Sequence, residues 1–347
     1  MTGKRALAFA AAAACFAVAQ PAGAQEHVAT VETVRLAAGW IDATLRDVAA
    51  SAEAVGLEFA AALTAAPAVG DDAFAAWTDR SQALGDTTGF RTWPAGAAEP
   101  ASGAPFAGIY SYDGAPVTVE RVAGIAALDR LVPVLRAAYR SLGYSWVYLT
   151  TADELMAIYP YVPLAEAVNN GTPTRTPFYT AADVAGRAVG WTAPYLDLVG
   201  AGMMITASYP AFDGDTLLGV ASRDVTLDEL AQGVLGRLAE SGGATALLID
   251  GTGLAIGASD PGMAAEIDRV NTAAGAAVLY YRTSANLQGI AGATASAEDW
   301  ANAAVDRVLA GASPADAVSI ESAGQRVLAA QVPSTGWYVV LVEGGNE

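Results

Sequence analysis

The sequence predicts an α+β protein: two antiparallel-sheet modules lying beside one long N-terminal helix. Three observations carry this expectation. From Val28 to about Ala66 the chain is Ala-rich, free of Pro and apolar at helical spacing. From Ile109 onward, strand and helix signals alternate with short turns between them. After Ser241-Gly242-Gly243 a shorter series begins and repeats roughly the same order.

The elements follow in sequence. Val34, Leu36, Trp40, Ile41, Leu45, Val48, Val55, Leu57, Phe59 and Leu63 give the long helix its apolar positions, and Gly39 and Gly56 weaken the pattern without ending it. At about 1.5 Å per residue such a helix extends about 55 Å, enough to act as a spine for two modules. Residues 92 to 105, TWPAGAAEPASGAP, read as loop. In AGIYSYDGAPVTV the pair Asp113-Gly114 predicts a hairpin turn, and Ile125 to Leu142 reads as one amphipathic helix. WVYLTT and LMAIYPYV are strand-like, and AEAVNNGTPTRTPFYTAAD runs through a polar loop into a short helix. GMMITASYP and LLGVASRDV are strands joined at Phe212-Asp213-Gly214-Asp215, and Thr226 with Glu229 forms a capping box for the next helix. In the second series ATALLID and LAIGAS pair across Asp250-Gly251-Thr252-Gly253. A helix over about Ala297 to Leu309 and the strands DAVSIES, QRVLAAQV and GWYVVLVE complete it. The expected divisions are 1–24 signal peptide, 25–70 long helix, 71–240 larger module and 241–347 smaller module.

Composition restricts the chemistry. Lys4 and Arg5, the apolar run Ala6 to Ala19 and the small residues Ala22-Gly23-Ala24 have the form of a signal peptide cleaved before Gln25. The run is shorter than the roughly 20 residues that span a bilayer. A second reading, lipidation at Cys15, is left open by Ala13-Ala14-Cys15, which lacks the Leu or Val of a full lipobox. No later stretch has a membrane helix's length and apolarity, so the expectation is a periplasmic or secreted protein with no membrane span after cleavage. Cleavage removes the only Lys and the only Cys, leaving 16 basic residues against 36 acids, a formal charge of −20. A surface so acidic repels nucleic acid. Without Cys there is no disulfide.

The sole histidine, His27, cannot build a catalytic triad, a Cys-His pair or a histidine metal site. No Gly-Lys-Ser/Thr phosphate loop exists. Asp213-Gly214-Asp215 lacks the further acids of a calcium loop and reads as a turn. The expectation is therefore no enzyme, no cofactor and no metal. A carboxylate-only hydrolase and a ligand-free interaction module are the alternatives from other classes.

The positive signal is aromatic. WTAPYLD at 191–197, SYPAF at 208–212 and LLGVASRDVTLDEL at 217–230 resemble the double Cache (dCache) sensory domains of bacterial chemoreceptors and sensor kinases. The resemblance covers most of the chain after residue 24, is most specific from Trp146 to about Leu230, and is one of pattern alone in the second module. It implies two PAS-like modules, the larger membrane-distal and binding a small molecule between its sheet and the loops above it. In the amino-acid-binding members an Arg just ahead of a Trp-Tyr pair holds the ligand carboxylate, and a later Tyr and an Asp hold the amine. Here Phe178-Tyr179 occupies the place of the pair, Tyr195 matches the Tyr and Asp224 the Asp. Thr176 occupies the Arg position, and Arg175 is one residue early. A Thr hydroxyl does not replace a bidentate guanidinium, so the expected ligand is amine-containing and not a standard α-amino acid.

The residues themselves agree, since an acid among rings holds an ammonium by charge and cation–π attraction. The expected ligand residues are Asp224, Tyr195, Tyr179, Phe178, Thr176, Arg175, Trp146 and Trp191. For Trp146, Trp191 and Phe178 a plain core role is the competing reading. For Asp224 it is a helix cap, and for Arg175 a solvated loop position. The receptors of the family have membrane helices on each side of this domain, so the sequence resembles a stand-alone, solute-binding version that presents its occupancy to a membrane sensor or transporter.

Overall fold

The computed structural model describes residues 30–65, 69–142, 145–168, 171–197, 202–239, 244–311, 317–322 and 324–344. The signal-like segment, Cys15, His27 and Ser241-Gly242-Gly243 lie outside the described residues, as does the side chain of Glu229.

The described residues open with α1 (Val31–Thr64), capped reciprocally by Thr30 and Thr33, whose hydroxyls each accept the other's backbone N–H at 3.3 Å. Val34, Ala38, Ile41, Leu45, Val48, Ala52, Val55 and Phe59 are buried along it at steps of four and three, which keeps one stripe facing inward. Its 34 residues extend about 51 Å. Gly56 is explained by packing, because a Cβ there would stand 2.6 Å from the Tyr209 ring.

The larger module follows: α2 (Asp71–Asp79), β1 (Ser81–Leu84), β2 (Thr87–Phe90), β3 (Gly108–Ser111), α3 (Val119–Arg130), α4 (Val132–Leu142), β4 (Val147–Thr151) and β5 (Leu155–Tyr159). Short elements come next: α5 (Leu164–Ala167), a 3₁₀ turn (Pro173–Arg175), α6 (Pro177–Thr180), β6 (Gly190–Trp191) and β7 (Tyr195–Leu196). The long hairpin β8 (Met203–Asp213) and β9 (Thr216–Thr226) leads into α7 (Leu227–Ala239). The sheet runs β1-β2-β3-β5-β4-β9-β8-β6, with β7 also on β8.

The smaller module contains β10 (Thr245–Ile249), β11 (Ala255–Ala258), α8 (Pro261–Ala274), the paired β12 (Leu279–Tyr280) and β13 (Thr294–Ala295), α9 (Asp299–Gly311), β14 (Val318–Ser322), β15 (Gln325–Val332) and β16 (Trp337–Glu343). Its sheet order is β11-β10-β16-β15-β14, antiparallel throughout.

Period-2 alternation gives each sheet two buried faces. In the larger sheet Ile109, Val147, Leu149, Leu155 and Ala157 pack with Phe59 of α1 and with α3 and α4. Tyr110, Tyr148, Met156 and Ile158 point the other way, under α5 and α6. In the smaller sheet Leu248, Leu328, Ala330 and Leu341 share one cluster with Ile41 and Leu45 of α1 and Ile205 and Val225 of the larger sheet. α1 is thus buried against both sheets. Asp42 adds a polar tie, accepting the Ser334 N–H of the β15–β16 turn at 2.8 Å.

Three sequence expectations change. Asp113-Gly114 does not turn a hairpin: β3 pairs with β2 and β5, and the Asp113 carboxylate instead takes the Arg121 guanidinium, the Ser111 hydroxyl and the Ala115 N–H. The span Ile125 to Leu142 is two helices, because Pro133 has no N–H for the helical ladder and the chain restarts at Leu131. A helix absent from the sequence reading, α8, covers the smaller sheet. Its start signals are present in the sequence, with Asp260 as N-cap and Pro261 at the first helical position.

Candidate ligand-binding site

The outward faces of β8 and β9 carry polar residues where a core would carry apolar ones. Ile205, Ala207 and Val225 join the α1-side cluster, while Thr206, Ser208, Ser222 and Asp224 lie between them in sequence and are also buried. Each of the four has a partner. The hydroxyls of Ser208 and Ser222 donate to the Phe178 carbonyl at 2.7 and 3.2 Å, anchoring α6 over the sheet. Thr206 is opposite Asp224 in the β8–β9 register, and its hydroxyl donates to Asp224 Oδ1 at 2.7 Å. Tyr148 of β4 donates to the same oxygen at 2.9 Å, and Tyr195 shares a 2.7 Å hydrogen bond with the Thr206 hydroxyl.

Above this network lies a cavity of about 340 Å³, within the size range of small-molecule sites. Its floor is Tyr110, Tyr148, Met156, Ile158 and Asp224 of the sheet; α6 contributes Thr176, Pro177 and Phe178, and Pro194 to Asp197 form an edge. The Phe178 ring stands edge-on to Tyr148 at 5.1 Å. Gly275, Ala276 and Ala277 of the smaller module complete the wall. Gly275 closes α8 in the left-handed conformation, which favours glycine. The loop after it is pinned by Asn271 Oδ1, which accepts the N–H groups of Val278 and Leu279 at 2.9 and 3.1 Å.

Burial pushes the Asp224 carboxyl up to about 7. The Thr206 and Tyr148 hydroxyls pull it down, Asp197 raises it further and Arg223 opposes that rise. The phenols of Tyr148 and Tyr195 are pushed well above their ordinary range, first by burial and then by the Asp224 charge, so both remain neutral donors. Among the described residues, the cavity lining contains neither Arg, Lys nor His. The wall thus presents one buried carboxyl and several aromatic rings. Among the described residues no cluster of three His, Cys, Asp or Glu is placed to hold a metal.

Of the residues expected from sequence, Asp224, Tyr195, Phe178, Thr176 and Trp146 line this cavity, and Tyr179, Arg175 and Trp191 do not. Tyr179 is half-buried at the margin of the aromatic cluster, its phenol raised by burial and by the nearby Glu154 and Asp153. Arg175 is exposed on the 3₁₀ turn, which Glu154 fixes by accepting both the N–H and the hydroxyl of Thr174. Trp191 pairs with Ala207 and packs against the α1-side cluster, on the other face of the sheet. The Thr176 hydroxyl is spent locally on the Pro173 carbonyl at 2.6 Å. Asp224 lies within β9, and α7 begins only at Leu227; its carboxyl bonds to two hydroxyls and does not cap α7. Tyr148, Tyr110, Tyr112 and Asp197 line the cavity and Thr206 bonds to Asp224 beneath it, and the sequence reading named none of them. Alternation along WVYLTT separates Tyr148 from Leu149, but only the strand register brings it to Asp224.

Residues 147–232 match the family model of the first PDC sensor domain of methyl-accepting chemotaxis protein-like proteins. A stretch of 83 residues is 37% identical to the methyl-accepting chemotaxis protein McpC of Bacillus subtilis, covering 24% of this chain and 12% of that receptor. The match thus spans about an eighth of the relative's length. The fold is similar to the ligand-binding domain of the Pseudomonas aeruginosa amino acid chemoreceptor PctC, solved with GABA, at 18% identity over 90% of this chain and 96% of that one, with a TM-score of 0.46. It is also similar to the sensory domain of the Campylobacter jejuni chemoreceptor Tlp3 with isoleucine bound, at 11% identity over 90% and 91%, with a TM-score of 0.46. Residues 147–232, which carry Asp224 and most of the cavity lining, thus form a segment similar to the chemoreceptor-type PDC sensor domains.

Proposed function

We propose that this chain binds a small amine-containing molecule in the larger module and passes its occupancy to a partner protein, acting as a sensory or solute-binding protein outside the cytoplasm. One observation carries the ligand class: a buried carboxyl stands in the floor of an aromatic cavity whose lining, among the described residues, contains no cationic side chain. An ammonium entering there favours the ionised form of Asp224 and gains both charge pairing and cation–π attraction. A carboxylate would enter a lining with two acids, Asp197 and Asp224, and, among the described residues, no guanidinium. The ligand residues in this reading are Asp224, Tyr195, Phe178, Thr176 and Trp146. Support for a sensory role is the match of residues 147–232 to the chemoreceptor sensor family.

Export rests on the signal-like sequence, and the partner is a membrane sensor or transporter. Among the described residues no helix is long and apolar enough to cross a membrane. Mass spectrometry of the exported protein tests the export reading: a chain starting at Gln25 supports it, and a diacylated Cys15 overturns it.

A thermal-shift screen of matched pairs tests the ligand reading. Arginine is set against agmatine, lysine against cadaverine and phenylalanine against phenethylamine. Ligand at 100 times its dissociation constant adds about 2.7 kcal/mol of stability, which is readily seen. Amines are expected to shift the melting temperature more than their parent amino acids. The reverse order overturns the reading.

A further inference from the structure

We propose that the ligand is a monoamine with an apolar tail. Its ammonium lies at the Asp224 end of the cavity and its tail at the opposite end, beneath α5, where Met156, Val162 and Ala167 set its length and reject a second charge. This rests on the amine reading and narrows it.

The cavity is polarised along the sheet. Both acids of its lining are at one end: Asp224 is on β9, and Asp197 follows β7, which pairs with β8, the neighbour of β9. The Asp197 charge is felt at Asp224, whose carboxyl it raises.

Strand register places the other end. Asp224 is next to Trp146, just ahead of β4, through the 2.9 Å bond from its N–H to the Trp146 carbonyl. Further along β4, Thr150 is opposite Met156 of β5, and Met156 is opposite Tyr110 of β3. At about 4.8 Å per strand and about 3.3 Å per residue, the Cα atoms of Asp224 and Met156 are about 16 Å apart, at diagonal corners of the floor. The short α5 covers the far corner: its Leu164 lies over Gly89, the residue opposite Tyr110, and its Ala167 joins the lining.

Around that corner stand Met156, Ile158, Val162 and Ala167, with Tyr110 and Tyr112. Among these described residues there is no carboxylate and no cation. The two phenols are turned to protein acceptors, Tyr110 donating to the Val162 carbonyl and Tyr112 to the Met156 sulfur at 3.9 Å. An ammonium placed there would give up its water for no charged partner, whereas each methylene placed there gains about fourfold in affinity.

Hexylamine, cadaverine and 1-hexanol have the same number of heavy atoms and separate the cases by calorimetry on the full chain. Hexylamine is expected to bind at least about tenfold more tightly than cadaverine, the alcohol or the shorter propylamine. Ala167→Leu, which occupies the tail end, is expected to weaken hexylamine at least fivefold and propylamine less than twofold. Met156→Ala, which strips the wall there, is expected to weaken hexylamine at least threefold and propylamine less than twofold. Cadaverine bound as tightly as hexylamine overturns the proposal and leaves the amine reading standing. So does a loss shared equally by the two monoamines, or by neither, in both variants. If 1-hexanol matches hexylamine and both variants weaken it, the tail assignment stands and the amine reading falls. Binding of none of the four overturns both.

Discussion

The two modules share a plan and differ in what covers the outer face of the sheet. In the smaller module the long helices α8 and α9 lie over it, and Met263, Ile267, Ala304, Val305 and Val308 meet Leu247, Ile249, Val327 and Val340 in one apolar core. In the larger module the corresponding face is covered by the short α5 and α6, the latter tethered by Ser208 and Ser222, and by loops, and a cavity is left between. The difference teaches that cover, more than sheet, decides whether this face of the sheet is closed by a core or left beneath a cavity. Long amphipathic helices supply enough apolar side chains to fill the space, and one-turn helices on polar loops do not.

The comparison can be broken most forcefully in the smaller module. Ile249→Ala removes a fully buried side chain from the α8–α9 core and is expected to destabilise the protein by about 2–5 kcal/mol, leaving amine affinity intact. Ile158→Ala, on the cavity wall, is expected to cost clearly less, because its side chain already lacks neighbours on one side. Equal losses in denaturant titrations would mean that the cavity is collapsed in solution.

Next in size is Asp224→Asn. Asn offers the same Oδ1 to Thr206 and Tyr148 but no charge, so amine binding is expected to weaken by about 2–3 kcal/mol by calorimetry while the melting temperature changes little. Retained affinity with a lower melting temperature would make Asp224 a structural residue.

The pH dependence is expected to be smaller per unit and opposite in sign for folding and binding. The folded carboxyl titrates at about 7 and the unfolded one near 3.9. The native state therefore holds the proton more tightly. The stabilisation from that proton is complete below about pH 4 and is lost as pH rises to about 7. An ammonium needs the carboxylate, so its affinity is expected to fall about tenfold per unit below pH 7 and to level off above it. Asp224→Asn should flatten both profiles. The smallest effect is expected at Arg175: because it is exposed and outside the cavity, Arg175→Ala should move amine and amino acid affinities by less than about 0.5 kcal/mol.

The fold was largely legible because its signals are local. Apolar spacing marks α1, alternation marks β8, β9 and β14 to β16, and Asp213 to Asp215 marks the turn between β8 and β9. The misreadings were local as well. Asp113-Gly114 has turn chemistry, yet its carboxylate was claimed by Arg121, eight residues on, and Pro133 interrupts an otherwise continuous helical pattern. The site was only half legible. A family motif points to Asp224 and Tyr195, but Tyr148 and Thr206 become partners of Asp224 only through the register of β4, β9 and β8, which no short stretch encodes. Likewise Phe178 and Tyr179 are adjacent in sequence and end on different sides of one helical turn.

The Gly275–Ala277 wall carries a consequence for taking the molecule apart. Each module has a core of its own, yet the cavity is not the property of one module: a fragment ending at residue 240 would keep Asp224, Trp146 and Phe178 and leave the chamber without one side. Grafting the larger module onto another scaffold therefore transfers the floor and the charge but not the enclosure. A chimera that is to inherit the specificity must bring the end of α8 with it.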